Sequence, residues 1–124
     1  MTAKILIIDD DMDFLKETKD LLEWCGCEVS VACLEEEWMD EIQNMPDIIL
    51  LDRHLKYPSG YTDGLTIYRM IKGHKRFSKI PVVFISGAFS EEDKENCLLL
   101  GAEDYIAKPL DTEDFIERIK RIFK

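Results

Sequence analysis

Three aspartates, a serine and a lysine stand out in this 124-residue chain by where they fall. Asp9 and Asp10 follow the apolar run Ile5–Ile8, Asp52 follows Ile48–Leu51, Ser86 closes the run that begins at Pro81, and Lys108 follows Asp104–Ala107. Each alone reads blandly: an aspartate after a strand is a turn or cap residue, and Lys-Pro is a solvated turn. Together they describe a site. Crowded carboxylates resist ionising unless positive charge sits among them. A magnesium ion meets that need, since it takes hard oxygen ligands and commonly keeps open positions for water and phosphate oxygens. With Lys108 as a fixed cation and Ser86 as a hydroxyl donor, metal, ammonium and hydroxyl would clamp a phosphoryl group in transfer. Asp52 is then placed as nucleophile.

Such a site requires elements that bring distant residues to one edge. Five apolar runs, Lys4–Asp9, Glu28–Ala32, Asp47–Asp52, Pro81–Ser86 and Asp104–Ala107, alternate with amphipathic stretches. At least the first, third and fourth are apolar on both faces, as strands buried inside a parallel sheet are. Phe14, Leu15, Thr18, Leu21 and Leu22 recur at helical spacing, as do Phe115, Ile116, Ile119 and Phe123. Ser90 before Glu91-Glu92-Asp93, Asp111 before Glu113-Asp114, and Asp11 or Asp10 before the first helix are N-cap signals. Gly26 and Gly101 stand where helices should end. Only Leu34–Met45 fits a helical stripe loosely. The pattern (βα)5 predicts a doubly wound α/β fold with right-handed crossovers and helices on both faces. In such sheets ligands bind beyond the carboxyl ends of the strands, where four of these five ends carry a polar group.

Composition narrows the function. Sixteen Lys and Arg against 26 Asp and Glu give a net charge of −10, which argues against direct nucleic-acid binding. At 46% hydrophobic residues the chain is too apolar to be disordered. No apolar run approaches the roughly 20 residues of a membrane span, and Ile5–Ile8 runs into three aspartates rather than a cleavage site. The expectation is a cytoplasmic protein with no membrane partner. Cys25, Cys27, Cys33 and Cys97 lack structural-zinc spacing and are expected as free, buried or half-buried thiols.

The set Ile5-Leu-Ile-Ile-Asp-Asp-Asp11, Pro46-Asp-Ile-Ile-Leu-Leu-Asp52, Pro81-Val-Val-Phe-Ile-Ser-Gly87 and Gly101-Ala-Glu-Asp-Tyr-Ile-Ala-Lys-Pro109 resembles the receiver domain of two-component response regulators. The likeness covers essentially the whole chain. It implies a flavodoxin-like sandwich with sheet order 2-1-3-4-5. The expectation is a single receiver domain over residues 1–124, with no output domain in this chain. It implies that Asp52 accepts a phosphoryl group from a sensor histidine kinase or phosphotransfer protein. Asp10 and Asp52 would touch Mg²⁺ directly, Asp9 would act through water, and His54 would offer its backbone carbonyl. Ser86 and Lys108 would contact the phosphoryl group, and Ser86 and Tyr105 would form a switch pair. Movement of Ser86 would vacate space for the Tyr105 ring, changing the face made by the fourth helix, fifth strand and fifth helix. A downstream effector would read that face. Asp104 and Arg118 there are also compatible with homodimerisation. On this reading the protein is a switch, not an enzyme with a separate substrate.

Two features depart from the family. Asp63-Gly64 arrives about four residues late, so residues 55–63 carry an insertion, with Pro58-Ser59-Gly60 expected as a turn in a surface loop. Arg53 and His54 flank Asp52, and their side chains are expected to tune the lifetime of its acyl phosphate. Gly87 is expected to leave the site open. With only His54 and His74 in the chain, neither a histidine phosphoacceptor nor an imidazole metal ligand is favoured.

Rival functions are weaker. A haloacid-dehalogenase-like phosphatase would use Asp9 as nucleophile, because Asp9-Asp10-Asp11 mimics its Asp-x-Asp opening, but Asp13 stands where Thr or Val is expected. An FMN-binding flavodoxin needs a Gly/Ser/Thr loop after the first strand, where this chain has three aspartates. A phosphorylation-independent pseudo-receiver has no use for the full set Asp9, Asp10, Asp52, Ser86 and Lys108.

Overall fold

Leu6 and Ile8 face one side of the first strand and Ile5 and Ile7 the other, and all four are essentially solvent-free. That double burial requires a sheet covered on both faces. The computed structural model, which describes residues 2–123, shows it. Strands β1 (Lys4–Ile8), β2 (Glu28–Ala32), β3 (Ile48–Asp52), β6 (Val82–Ser86) and β7 (Asp104–Ala107) form one parallel sheet in the order β2-β1-β3-β6-β7. In this numbering the sheet's fourth and fifth strands are β6 and β7. The expected 2-1-3-4-5 order holds.

Helices α1 (Met12–Trp24) and α5 (Thr112–Ile122) cover one face, their Leu15, Leu22, Phe115 and Ile119 packing on Ile5, Ile7, Leu50 and Val83. Helices α2 (Glu37–Glu41), α3 (Gly64–Gly73) and α4 (Glu91–Leu99) cover the other, through Trp38, Ile67, Tyr68, Ile71 and Cys97. The caps fall where the sequence places them. Asp11 accepts from the amides of Asp13 and Phe14, Ser90 from Asp93, and Asp111 from Asp114. Gly26 and Gly101 take φ of 96° and 111°, the left-handed turn that ends a helix without a Cβ clash. The four cysteines are free thiols. Among the described residues no helix is long and apolar enough to cross a membrane.

Two segments differ from expectation. The loosely patterned stretch 34–45 makes only the five-residue α2 and a 3-10 turn at Ile42–Asn44, bracketed by left-handed Glu36 and Met45. The insertion is not a surface loop. It is an antiparallel hairpin of β4 (His54–Tyr57) and β5 (Gly60–Asp63), closed at Pro58-Ser59 as the turn signal suggested. Period-2 alternation explains why it is ordered: Leu55 and Tyr57 are buried in the core, while His54 and Lys56 face away from it. Ser59 ties the hairpin tip to Glu35.

Candidate functional site

The sheet register delivers Asp9, Asp52, Ser86 and Lys108 to one edge, each at or just beyond the end of its strand. One carboxylate oxygen from each of Asp9, Asp10 and Asp52 lies within 4.8 Å of the others. Asp9 and Asp52 are buried and Asp10 is half-buried. The Lys108 ammonium stands 2.7 Å from Asp9 Oδ2 and 3.8 Å from Asp52 Oδ2. Lys108 also lies over the Phe14 ring, 4.3 Å from its centroid, which helps fix the amine toward the acids. It is therefore part of the site, not a solvated turn.

The electrostatics follow from crowding. Burial, then the neighbouring Asp9 charge, push the Asp52 carboxyl up to about 8, with Lys108 opposing them only in part. Burial likewise raises Asp9, against the pull of Lys108 and the Asp11 amide. Burial works against the Lys108 charge, but the two carboxylates outweigh it and hold the ammonium above its ordinary value. One lysine does not neutralise three acids. Lys108 comes within 3 Å of Asp9 Oδ2 alone, so the acids together keep acceptor capacity that one ammonium does not fill. This donor set, all hard oxygen with surplus negative charge, fits a divalent magnesium ion.

Asp52 opens into a cleft of about 520 Å³ lined by His54, Lys56, Tyr61, Gly87, Ala88 and Lys108. The hairpin makes one wall of it. Lys56 stands directly across the ladder from Tyr61, and His54 Nδ1 lies 2.8 Å from the Tyr61 hydroxyl. The His54 amide donates to Asp52 Oδ1 at 3.3 Å, while its imidazole belongs to Tyr61 rather than to the acidic cluster. Gly87 lines the cleft, and a Cβ there would meet nothing within 4 Å, so the space beside it is open. Gly64 is different. A Cβ at that position would lie 2.4 Å from the Asp52 carbonyl oxygen, and its amide donates to the Arg53 carbonyl at 2.9 Å. Gly64 lets the hairpin return against the acceptor strand.

Arg53 does not face Asp52. Its nearly buried guanidinium turns to Asp93 on α4, through Nε at 3.0 Å and Nη2 at 3.1 Å, and to Asp63 at the end of β5. The expected shared role of Arg53 and His54 is thus divided: only His54 faces the cleft. Tyr105 also departs from expectation. Its ring already lies inside, 1% exposed, between Phe84 and Phe89, with its hydroxyl donating to Asp93. Ser86 is fully buried and its Oγ accepts from the Ala88 amide. Asp104 and Arg118 pair with each other at 2.9 Å within the chain. Sequence reasoning missed Asp93, Tyr61 and Tyr57, the last a buried hydroxyl with no hydrogen-bond partner among the described residues. The period-2 pattern of the insertion was the one available signal for the two tyrosines.

Comparison with known proteins gives the same fold and family. The profile described as response regulator receiver domain matches residues 5–120. The chain is 34% identical over 124 residues to the transcriptional regulatory protein BaeR of Escherichia coli O6:H1, covering 99% of this chain and 49% of that protein. It is 31% identical over 121 residues to the transcriptional regulatory protein CpxR of E. coli K12, covering 98% and 49%. It therefore spans about half the length of these curated relatives. Among solved structures, the signal receiver domain of a DNA-binding response regulator from Colwellia psychrerythraea superposes with TM-score 0.83 at 28% identity, covering 97% of both chains. The phosphatase and flavodoxin alternatives find no support in these matches, and the chain belongs to the response regulator receiver domain family.

Proposed function

We propose that the chain is a phosphorylation switch in which Asp52 accepts a phosphoryl group from a phosphohistidine of a sensor kinase or phosphotransfer protein. The observation that carries this reading is the joint placement of Asp9, Asp10, Asp52 and Lys108 at the mouth of an open cleft. In the transfer the donor's N–P bond breaks, a P–O bond forms to Asp52 Oδ, and the departing imidazole takes up a proton. Asp9, Asp10, Asp52 and the backbone carbonyl of His54 would hold Mg²⁺, which when bound supplies positive charge to the phosphoryl oxygens. Lys108 is close enough to Asp52 to pair with a phosphoryl oxygen there without leaving Asp9. Ser86 Oγ, which accepts from the Ala88 amide, keeps its own proton to donate to the phosphoryl group.

Phosphorylation adds about −1.5 to −2 charge and three acceptor oxygens at Asp52. Through Ser86, which pairs with Ala107 of β7, this change is relayed toward the α4-β7-α5 face, where an effector, or a second copy of the chain, would bind beside the already buried Tyr105. No separate metabolite is turned over. BaeR and CpxR are named transcriptional regulators, and we infer a regulatory output of that kind downstream. The test is intact mass after incubation with acetyl phosphate, with and without Mg²⁺. A Mg²⁺-dependent gain of one phosphoryl group, lost in Asp52→Asn, supports the reading. No gain in the wild type favours the phosphorylation-independent scaffold.

A further inference from the structure

We propose that Arg53 is a positioning residue that, through Asp93, holds Tyr105 inside the protein before any phosphorylation, so that the inserted hairpin takes part in setting the α4-β7-α5 face. The consequence for effector binding rests on the switch reading above; the clamp itself does not.

The geometry is continuous. Arg53 directly follows the acceptor, and its carbonyl receives the Gly64 amide where the hairpin returns into α3. Its guanidinium joins Asp63, which also caps α3 by accepting from the Leu65 amide. The other edge of the same fork grips Asp93 through two nitrogens. Asp93 in turn accepts from the Tyr105 hydroxyl. A rigid planar fork fixes a carboxylate in orientation as well as in charge. Asp93 is thereby presented to Tyr105 as an ionised, immobile acceptor.

Helix α4 needs such a tether. Its first turn carries Glu91, Glu92 and Asp93, and Cys97 is its one buried residue. A helix with so little apolar surface facing the sheet is weakly held by packing, so a polar anchor to the end of β3 carries unusual weight. Arg53 is 8% exposed and charged, so it must keep its partners. Moving Tyr105 outward would break its bond to Asp93 and uncover the ring that packs edge-on to Phe89. The buried pose is therefore secured by Asp93, Phe84 and Phe89, with Arg53 holding Asp93 in place and nothing required on Asp52.

The experiment uses the whole chain with ring-carbon-13-labelled tyrosine, the Tyr105 signal being assigned by Tyr105→Phe. Broadening of that signal by a soluble gadolinium chelate reads its exposure. The unphosphorylated wild type and Asp52→Asn should show Tyr105 equally protected. Arg53→Gln should shift it toward exposure by about tenfold, as loss of one charge-assisted hydrogen-bond anchor implies, with Arg53→Lys intermediate because it keeps charge but not the fork. Asp93→Ala, on the more exposed side of the pair, should release Tyr105 equally and serves if Arg53→Gln does not fold. A folded Arg53→Gln or Asp93→Ala with Tyr105 as protected as in wild type overturns the proposal. So does a wild type whose Tyr105 becomes protected only after acetyl phosphate and Mg²⁺, an outcome that would leave the phosphoacceptor reading intact. Conversely, a clamp that behaves as described in a chain that never gains phosphate would sink that reading and keep the clamp.

Discussion

Lys108 and Asp9 form the tightest ion pair of the acidic edge, 2.7 Å apart, with Asp9 only 1% exposed. The lysine balances an aspartate that touches almost no water, and it does so from a position 3.8 Å from the acceptor. Structural and chemical roles therefore meet in one side chain.

Lys108→Ala leaves Asp9 buried without its counter-charge, which should cost about 3–5 kcal/mol of stability at neutral pH. The loss should shrink as pH falls, because protonating Asp9 and Asp52 removes the uncompensated charge. Denaturant melts at several pH values measure both effects.

Asp52 carries the opposite sign of prediction. Its folded-state carboxyl is pushed up to about 8, so the folded protein binds a proton there that the unfolded chain has already released. Stability of the metal-free protein should fall as pH rises from about 4 toward 8. Asp52→Asn should flatten that slope and stabilise the metal-free fold by about 1–3 kcal/mol near pH 7. Thermal melts in chelator across that range give the comparison.

Magnesium should reverse the penalty. At a concentration of 100 times its dissociation constant the ion adds about 2.7 kcal/mol of stability. Its affinity should rise with pH through about 8, as Asp52 loses its proton. Asp10→Asn removes one of the three carboxylates and should weaken binding, which titration calorimetry reads directly.

Gly64→Ala is a sharper probe than a change at the more obvious Gly87. The added carbon would press on the Asp52 carbonyl, at a cost of about 2–4 kcal/mol or a displaced acceptor strand. Gly87→Ala meets open space and should fold as the wild type does. Parallel denaturation curves separate the two.

The hairpin wall should control water at the acceptor. Removing the His54 ring, which Tyr61 holds beside the cleft, should change the hydrolysis rate of the Asp52 acyl phosphate by roughly fivefold, or about 1 kcal/mol in barrier. Tyr61→Phe, which frees the imidazole, should move the rate the same way by less. Identical decay of phosphorylated wild type, His54→Ala and Tyr61→Phe would contradict this.

The legible parts of the sequence were those with strong local physics. Runs such as Ile48–Leu51 are apolar on both faces because the parallel sheet is covered on both sides, and Ser90 and Asp111 announce their helices by capping them. The acidic edge was legible because four of the five strands end on or just before a candidate site residue. Helix α2 was not, since five residues are too few to establish a stripe. The hairpin showed its turn, but strands of four residues gave little periodicity, so its burial through Leu55 and Tyr57 was hidden. The turn of Arg53 away from Asp52 was unreadable. Its partners lie 10 and 40 residues further on, a separation that only the folded chain closes.

Reduction of the phosphorylated chain with borohydride, followed by peptide mapping, tests the central claim most directly, since an aspartyl phosphate is reduced to homoserine where it stands. Homoserine is expected at position 52 alone, formed only when Mg²⁺ was present during phosphorylation. Homoserine at position 9, or a stable phosphate retained on Ser86 or His54, would contradict it.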